Sequence, residues 1–227
     1  MAYAWMPGVK CIRADTDGGP LRGGAPRAVW LTLGARPGAV SVQSAAERLM
    51  SEGRPCHLIW DPVTGDIAQL ISIMRAGRAL GTPECLRWRG HGVLDQVIPV
   101  SADGRICAQL GVLARPDEPF TSGPMPGLAT ILGWLDSWNV PRRWPAGPPA
   151  AAGAATGELT AHRSRGLWAR GGHFGASQVP ECESLGPGAI DIDRLTGAHL
   201  VQVARAPKPP GAETDIEIRS PLAAAVG

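Results

Sequence analysis

Short apolar runs rich in β-branched residues alternate along this chain with stretches of helical periodicity. Residues 27–33 and 104–114 are apolar runs bounded by glycine, which is typical of buried strands. Between them, residues 56–73 place two strand-like runs on either side of the turn sequence DPVTGD, which predicts a β-hairpin. Residues 41–53 and 127–140 carry apolar side chains at helical spacing and predict two amphipathic helices.

The order strand, helix, hairpin, strand, helix predicts an α/β fold with one central mixed β-sheet flanked by helices. Hydrophobic residues make up 44% of the 227 positions, which is enough apolar material for a core. We expect an extended lead-in over residues 1–26, one domain over 27–205 and a proline-rich tail over 206–227. The helical spacing of Trp134 and Trp138 favours packing in that core over a platform for sugar stacking.

Charge and apolar patterning argue against several kinds of partner. The formal net charge is only +2, from 22 basic and 20 acidic residues, so we expect no nucleic-acid partner held by phosphate neutralisation. No apolar run is long enough to span a bilayer, so we expect no membrane partner. The first residues lack the pattern of a signal peptide, which predicts a cytoplasmic protein or one released by a phage-like route.

The cysteines favour neither a disulfide framework nor a zinc ribbon. There are five of them, an odd number, and they are scattered widely along the chain. No two cysteines have the CxxC spacing of a structural zinc site.

Two segments carry a resemblance to a known family. The sequences PCHLIWDPVTGDIAQ, over residues 55–69, and GGHFGASQVPECESLGPG, over residues 171–188, stand in order with the RAVWLTL run and the second predicted helix. Together they resemble the zinc-dependent N-acetylmuramoyl-L-alanine amidases and the peptidoglycan recognition proteins, over roughly residues 25 to 195. The resemblance implies the same mixed sheet flanked by helices. It also implies a zinc ion held by two histidines and an aspartate or cysteine, which activates water to cleave the amide bond between muramic acid and L-alanine.

This chain departs from the family at the positions that carry the chemistry. The resemblance aligns the three zinc ligands with Leu31, Ala176 and Gly186, and the catalytic glutamate with Gly111. None of these four side chains has a lone pair to bind a metal or to accept a proton. We therefore expect a lost zinc site, no cofactor and no catalytic residues. In addition, Ser184 stands where the family has a histidine or a cationic residue.

Four polar or sulfur-bearing residues remain near these positions as candidates for ligand binding. Cys56 stands at the place of a family tyrosine, His57 begins the predicted hairpin, and His173 and Gln178 lie in the predicted glycine-rich loop. We expect His57 and His173 to border one depression, with the four altered positions as its floor. The alternative is structural: His57 as a hydrogen-bonded histidine at a strand start, and His173 as a loop-tethering side chain.

Three functions remain open from the sequence. The first is a catalytically inactive amidase-like protein, a pseudo-amidase, that binds peptidoglycan or muropeptide fragments. The second is a structural or assembly protein of a phage or phage-like particle, with a protein partner or a second copy of this chain. The third is an active N-acetylmuramoyl-L-alanine amidase with a non-standard site. Because a fold does not determine a function, the choice rests on the site.

Overall fold

The computed structural model describes residues 1–80, 100–155, 163–180, 182, 184 and 186–197. Six strands form one sheet: β1 (Lys10–Cys11), β2 (Arg27–Thr32), β3 (Leu58–Trp60), β4 (Ile67–Gln69), β5 (Cys107–Val112) and β6 (Gly172–Gly175). The α-helices in the described ranges are α1 (Val42–Ser51), α2 (Leu128–Ser137), α3 (Arg165–Ala169) and α4 (Ile192–Thr196). None of these helices has the length and apolar character needed to cross a bilayer.

The sheet is mixed, as the sequence predicts. Its strand order is β1-β4-β3-β5-β2-β6, and only the β3–β4 pair is antiparallel. That pair is the predicted hairpin. Its turn is held by Asp61, whose Oδ1 accepts a 2.8 Å hydrogen bond from the backbone N–H of Val63. The predicted α/β fold class is therefore confirmed.

The central strands are buried on both faces, and their side chains alternate between two apolar layers. The layer beneath α1, here called the α1-side core, includes Val29, Leu31, Leu33, Ala46, Leu49, Ile59, Phe174 and Ala176. The layer beneath α2, here called the α2-side core, includes Ala28, Trp30, Leu58, Leu110, Val112, Ile131 and Leu135. Odd-numbered residues of β2 thus face α1, and even-numbered residues face α2.

The two long helices begin and pack for identifiable reasons. Helix α1 is capped by Ser41, whose side chain accepts a 3.1 Å hydrogen bond from the Ser44 N–H. Trp134 of α2 is buried, and Trp138, which directly follows α2, packs partly buried against the same core, which confirms core packing for this pair. Both indole N–H groups donate to the carbonyl of Tyr3, so they tie the start of the chain to α2.

The predicted lead-in over residues 1–26 is part of the folded body. It supplies β1, which pairs in parallel with β4, and it buries Met6 in the α2-side core. Gln69 fixes this segment to the sheet, because its side-chain Oε1 accepts a 2.6 Å hydrogen bond from the backbone N–H of Met6. The predicted tail over residues 206–227 lies outside the described residues.

One prediction of local structure is wrong. The sequence predicts a glycine-rich loop within residues 164–195 that contains His173, but Gly172–Gly175 forms β6, an edge strand paired in parallel with β2. The glycines are needed because the backbone of β6 is approached closely. A Cβ on Gly172, whose φ is 106°, would lie 2.6 Å from the carbonyl oxygen of Arg143.

Candidate functional site

Leu31 and Gly111 are register partners on the adjacent parallel strands β2 and β5. They are the positions that the resemblance assigns to a zinc ligand and to the catalytic glutamate. Both face the α1-side core. A Cβ built on Gly111 would lie 3.0 Å from Leu33 Cδ1 and 3.1 Å from Cys56 Sγ. The space for a larger side chain at Gly111 is therefore occupied by Leu33 and Cys56.

Ala176 and Gly186, the other two positions that the resemblance assigns to zinc ligands, lie in the segment that follows β6 and approaches the end of β2. Ala176 is buried in the same α1-side core as Leu31. A Cβ on Gly186 would lie 2.7 Å from Thr32 Oγ1, and the Gly186 carbonyl accepts a 2.6 Å hydrogen bond from the Ser177 N–H. The fold thus brings the four positions to the carboxyl-end half of β2 and β5.

A cavity of about 150 Å³, here called the Leu31 cavity, opens at this place. Its lining residues are Leu31, Thr32, Leu33, Arg48, Leu49, Glu52, Arg54, Ala79 and Ser184. Charged groups of α1 and of the chain after it stand at its mouth. Arg48 Nη2 donates to the Leu33 carbonyl at 2.8 Å, and Arg48 Nε lies 3.9 Å from Glu52 Oε1. Arg54 Nη2 donates to the Ala79 carbonyl at 3.3 Å.

The donor chemistry of this place does not fit a zinc ion. Leucine, alanine and glycine offer no ligand atom in their side chains, and the Sγ of Cys56 lies 3.1 Å from a Cβ built on Gly111. Burial raises the pKa of the Cys56 thiol to about 12, so it stays protonated, and it donates to the Leu58 carbonyl. Within the described part of the chain, no three His, Cys, Asp or Glu residues group closely enough to hold a metal ion.

His57 is buried completely and makes two internal hydrogen bonds. Its Nδ1 accepts from the backbone N–H of Gln109 at 2.9 Å, which leaves the proton on Nε2 to donate to the Arg75 carbonyl at 2.8 Å. Burial lowers the pKa of this imidazole to about 4, so it is neutral near pH 7. This arrangement is the structural alternative considered for His57. The side chain does not line the Leu31 cavity.

His173 lies on the other face of the sheet from Leu31. It sits in β6 opposite Ala28, its ring lies 6.0 Å from that of Trp30 and 6.1 Å from that of Trp144, and its Nδ1 accepts from Trp30 Nε1 at 3.0 Å. Burial lowers its pKa to about 4. The expectation that His173 borders a depression floored by Leu31 is therefore wrong. The physical reason is strand alternation: Phe174, not His173, points into the α1-side core.

Gln178 is also buried and uses its amide internally. Its Oε1 accepts from Trp144 Nε1 at 2.6 Å and from the Gly175 N–H at 2.9 Å, and its Nε2 donates to the Gly147 carbonyl at 2.8 Å. Cys56, His57, His173 and Gln178 thus all lie in the interior. A ligand reaches them only if the covering segments move, and their role as ligand contacts stays a prediction.

The residues that line the Leu31 cavity from α1 and from the chain after it were not evident as site residues in the sequence. Arg48, Glu52 and Arg54 are the charged residues among its described lining. Their signal was present in part, because Arg48 and Glu52 stand four residues apart on the polar side of a predicted amphipathic helix. Nothing local, however, indicates that this side of α1 meets the end of β2.

No family model and no curated protein matches the sequence. Among solved structures, the chain is similar to the N-acetylmuramoyl-L-alanine amidase LysCS from Clostridium intestinale URNW, with 10% identity, 87% of this chain and 99% of that chain covered, and a TM-score of 0.46. It is also similar to the Staphylococcus aureus hydrolase AmiA, with 8% identity, 88% of this chain and 87% of that chain covered, and a TM-score of 0.49. A third similar structure is PGRP-Hd from Alvinella pompejana, with 11% identity, 60% of this chain and 78% of that chain covered, and a TM-score of 0.32. Similarities this distant assign no activity to this chain.

Proposed function

We propose that this protein is a catalytically inactive, amidase-like protein that binds peptidoglycan fragments at the Leu31 cavity. The observation that carries the proposal is the pairing of Leu31 with Gly111. The motif resemblance assigns these two positions to metal binding and proton transfer. They lie side by side in the sheet without a group for either task, and Leu31 lines the cavity.

The physical case against catalysis rests on what amide hydrolysis needs. A zinc-activated water requires three protein ligands and an open position, and a general base typically contributes ~10²–10⁴-fold in rate. Leu31, Ala176 and Gly186 supply no ligand, and Gly111 supplies no base. The buried Cys56 thiol does not replace either one, because its raised pKa keeps it protonated and its hydrogen is donated to a carbonyl.

The case for binding rests on the mouth of the cavity. Among the described lining residues, Arg48 and Arg54 bring two guanidinium groups to it and Glu52 brings one carboxylate. Each arginine is held by a hydrogen bond to a backbone carbonyl, at Leu33 and at Ala79. Guanidinium groups bind carboxylates with two parallel hydrogen bonds, and the peptide part of a peptidoglycan fragment carries carboxylates.

The burial of four expected ligand contacts supports a second candidate. Cys56, His57, His173 and Gln178 are all buried, and the last three bind the protein's own backbone and tryptophans. Replacement of a metal site by apolar packing favours stability over ligand recognition, because each unpaired buried polar group costs ~1–3 kcal/mol. This candidate is a structural or assembly protein that contacts a protein partner or a second copy of itself.

Metal content, hydrolysis and binding test these proposals together on the full chain. We expect less than stoichiometric zinc by elemental mass spectrometry and no release of peptide from purified peptidoglycan. We expect titration calorimetry with N-acetylmuramoyl-L-alanyl-D-isoglutamine to detect binding, and Arg54→Gln to weaken it by about tenfold. Arg36→Gln is the matched control, since Arg36 is exposed, pairs only loosely with Glu118 at 3.7 Å and does not line the cavity.

The other outcomes separate the alternatives. One bound zinc per chain with hydrolysis would establish the active amidase and overturn the proposal. No binding at millimolar ligand, together with a stable oligomer or a copurifying protein, would favour the assembly candidate. Equal weakening by Arg54→Gln and Arg36→Gln would show that binding depends on overall charge and not on the Leu31 cavity.

A further inference from the structure

Residues 3–6, near the start of the chain, are bound on the α2 side of the sheet by a surface here called the Gln69 surface. It consists of Gln69, Ile73, Trp134 and Trp138. These residues come from β4, from the chain after β4, and from α2 and its end. The Leu31 cavity lies on the α1 side of the sheet, so the Gln69 surface is a separate place in the fold.

The side chain of Gln69 binds two backbone groups of this segment at once. Its Oε1 accepts from the Met6 N–H at 2.6 Å, and its Nε2 donates to the Ala4 carbonyl at 3.0 Å and to the Ile71 carbonyl at 2.8 Å. Gln69 is fully buried, and its amide oxygen and both amide N–H groups are used. A side-chain amide offers the same kinds of donor and acceptor as a peptide unit, so Gln69 bonds to the segment as a neighbouring strand would.

Three further N–H groups bind the backbone of the same segment. The Nε1 atoms of Trp134 and Trp138 both donate to the Tyr3 carbonyl, at 2.8 and 3.1 Å. The Ile73 N–H donates to the Ala4 carbonyl at 3.2 Å. The Gln69 surface therefore recognises a peptide backbone through several directed hydrogen bonds.

One side chain of the segment supplies an apolar anchor. Met6 is only 4% exposed and belongs to the α2-side core together with Ile73 and Trp134. Tyr3, in contrast, is 52% exposed and is bound through its carbonyl. The Gln69 surface thus selects an apolar residue at the position of Met6 and tolerates other side chains at the position of Tyr3.

We propose that the Gln69 surface is a peptide-binding site, and that residues 3–6 of a second copy of this chain bind it in exchange for the chain's own residues 3–6. The second copy is the occupant that the geometry favours, because an identical segment provides every bonded backbone group and the same apolar anchor. The resident segment competes with it at an effective concentration on the order of millimolar. Exchange therefore requires that the anchor of the resident segment be released.

The first test uses the full chain, loosens the resident segment and supplies a new one. Met6→Ala removes the anchor of the resident segment and leaves the Gln69 surface unaltered. A fluorescein-labelled peptide with the sequence of residues 1–9 is titrated against this variant and against the unaltered chain, and fluorescence anisotropy is measured. We expect the variant to bind the peptide with a Kd below about 1 mM and at least about tenfold more tightly than the unaltered chain. If Met6→Ala does not fold, Met6→Val carries the same comparison with a smaller loss of packing.

Altered peptides show which groups are recognised without any further change to the protein. A peptide with Met6→Asp should bind at least about tenfold more weakly, because a carboxylate then enters an apolar core. Methylation of the backbone nitrogen of Met6 removes the donor to Gln69 and should weaken binding about tenfold. Tyr3→Ala is the matched control, and it should change the affinity by less than about threefold, since that side chain is exposed.

Complementation between two full-length variants tests the second copy as the occupant. Gln69→Met keeps the segment and lacks the amide that binds it, whereas Met6→Ala keeps the amide and lacks the anchor. Analytical ultracentrifugation of an equimolar mixture should show a larger proportion of dimer than either variant shows alone.

Four results would overturn the assignment. Absence of peptide binding by Met6→Ala, or equal binding by Met6→Ala and the unaltered chain, would show that the Gln69 surface does not accept a segment in trans. Equal affinity for the unaltered and the Met6→Asp peptides would indicate adsorption without recognition. Peptide binding without a gain of dimer in the mixture would exclude the second copy as the occupant. None of these results bears on the Leu31 cavity, which Arg54→Gln tests separately.

Discussion

The indole Nε1 of Trp30 donates a 3.0 Å hydrogen bond to Nδ1 of His173, and the two rings stack across strands β2 and β6. This bond requires the unprotonated Nδ1, so it holds His173 in its neutral form inside the α2-side core. His57 is held neutral in the same way by the Gln109 N–H. Neutral, buried histidines make stability depend on pH in a definite direction.

We predict that the protein loses stability as the pH falls from 6.5 toward 4. The pKa of His57 and of His173 is lowered to about 4 in the folded chain, from 6.5 for an ordinary histidine. Between these values the unfolded chain binds more protons than the folded one, so the free energy of unfolding rises with pH across this window and is level above it. The loss is about 3 kcal/mol for each histidine.

Urea titrations at several pH values between 7 and 4 measure this loss. The variant His173→Gln keeps a hydrogen-bond acceptor for Trp30 but does not titrate. We expect it to remove the share of the pH dependence that comes from His173, about 3 kcal/mol, and to leave the share that comes from His57. An unchanged pH dependence in His173→Gln would contradict the assignment to His173.

We predict that Gly111→Ala destabilises the protein although it adds only one methyl group. The new Cβ would lie 3.0 Å from Leu33 Cδ1 and 3.1 Å from Cys56 Sγ, and a packed core resists such insertion at a cost of about 1–3 kcal/mol. Gly133→Ala is the control, because nothing lies within 4 Å of its Cβ position in α2. That change should stabilise the helix by about 0.5–1 kcal/mol. Thermal and urea unfolding should show a lower free energy of unfolding for Gly111→Ala and a higher one for Gly133→Ala.

We predict that zinc binding can be restored at the positions that the resemblance identifies. Leu31→His alone should destabilise the chain and bind no zinc, because a polar ring then enters an apolar core without a partner. Leu31→His combined with Ala176→His and Gly186→Asp should bind zinc and regain stability only when zinc is present. The measurement is the shift of the unfolding temperature on adding zinc. The same zinc response in the single and triple variants would refute the assignment of these three positions.

We predict that Asp103→Ala destabilises the protein by about 1–2 kcal/mol. The variant removes the partner of the buried Arg27 and the acceptor of Trp168 Nε1, and solvent at the partly exposed Asp103 limits the loss. Asp117→Ala is the control, since its pair with Arg115 is solvent-exposed on both sides and such pairs contribute little. Chemical unfolding should therefore separate the two variants, and equal curves would contradict a structural role for the Arg27–Asp103 pair.

Local patterns in the chain were sufficient to predict most of the helices and strands. The 27–33 run corresponds to β2, the 56–73 segment to the β3–β4 hairpin, and the two periodic stretches to α1 and α2. Each of these signals depends on residues close in sequence: β-branched runs, helical spacing, a serine cap and a turn with aspartate and glycine. Strand β6 was missed because Gly172–Gly175 has almost no side-chain pattern of its own and becomes a strand through pairing with β2.

The sequence by itself determined the α/β class. It also determined that Leu31, Gly111, Ala176 and Gly186 carry no side chain that can bind a metal or accept a proton, since side-chain chemistry at a position needs no coordinates. Only the tertiary structure decided which residues share a surface. It put His173 between Trp30 and Trp144 on the face away from Leu31, and it brought Arg48 and Arg54 to the Leu31 cavity. The reason is physical. The burial of a residue, and the side of the sheet to which each strand side chain points, depend on partners distant in the chain, and no local pattern encodes them.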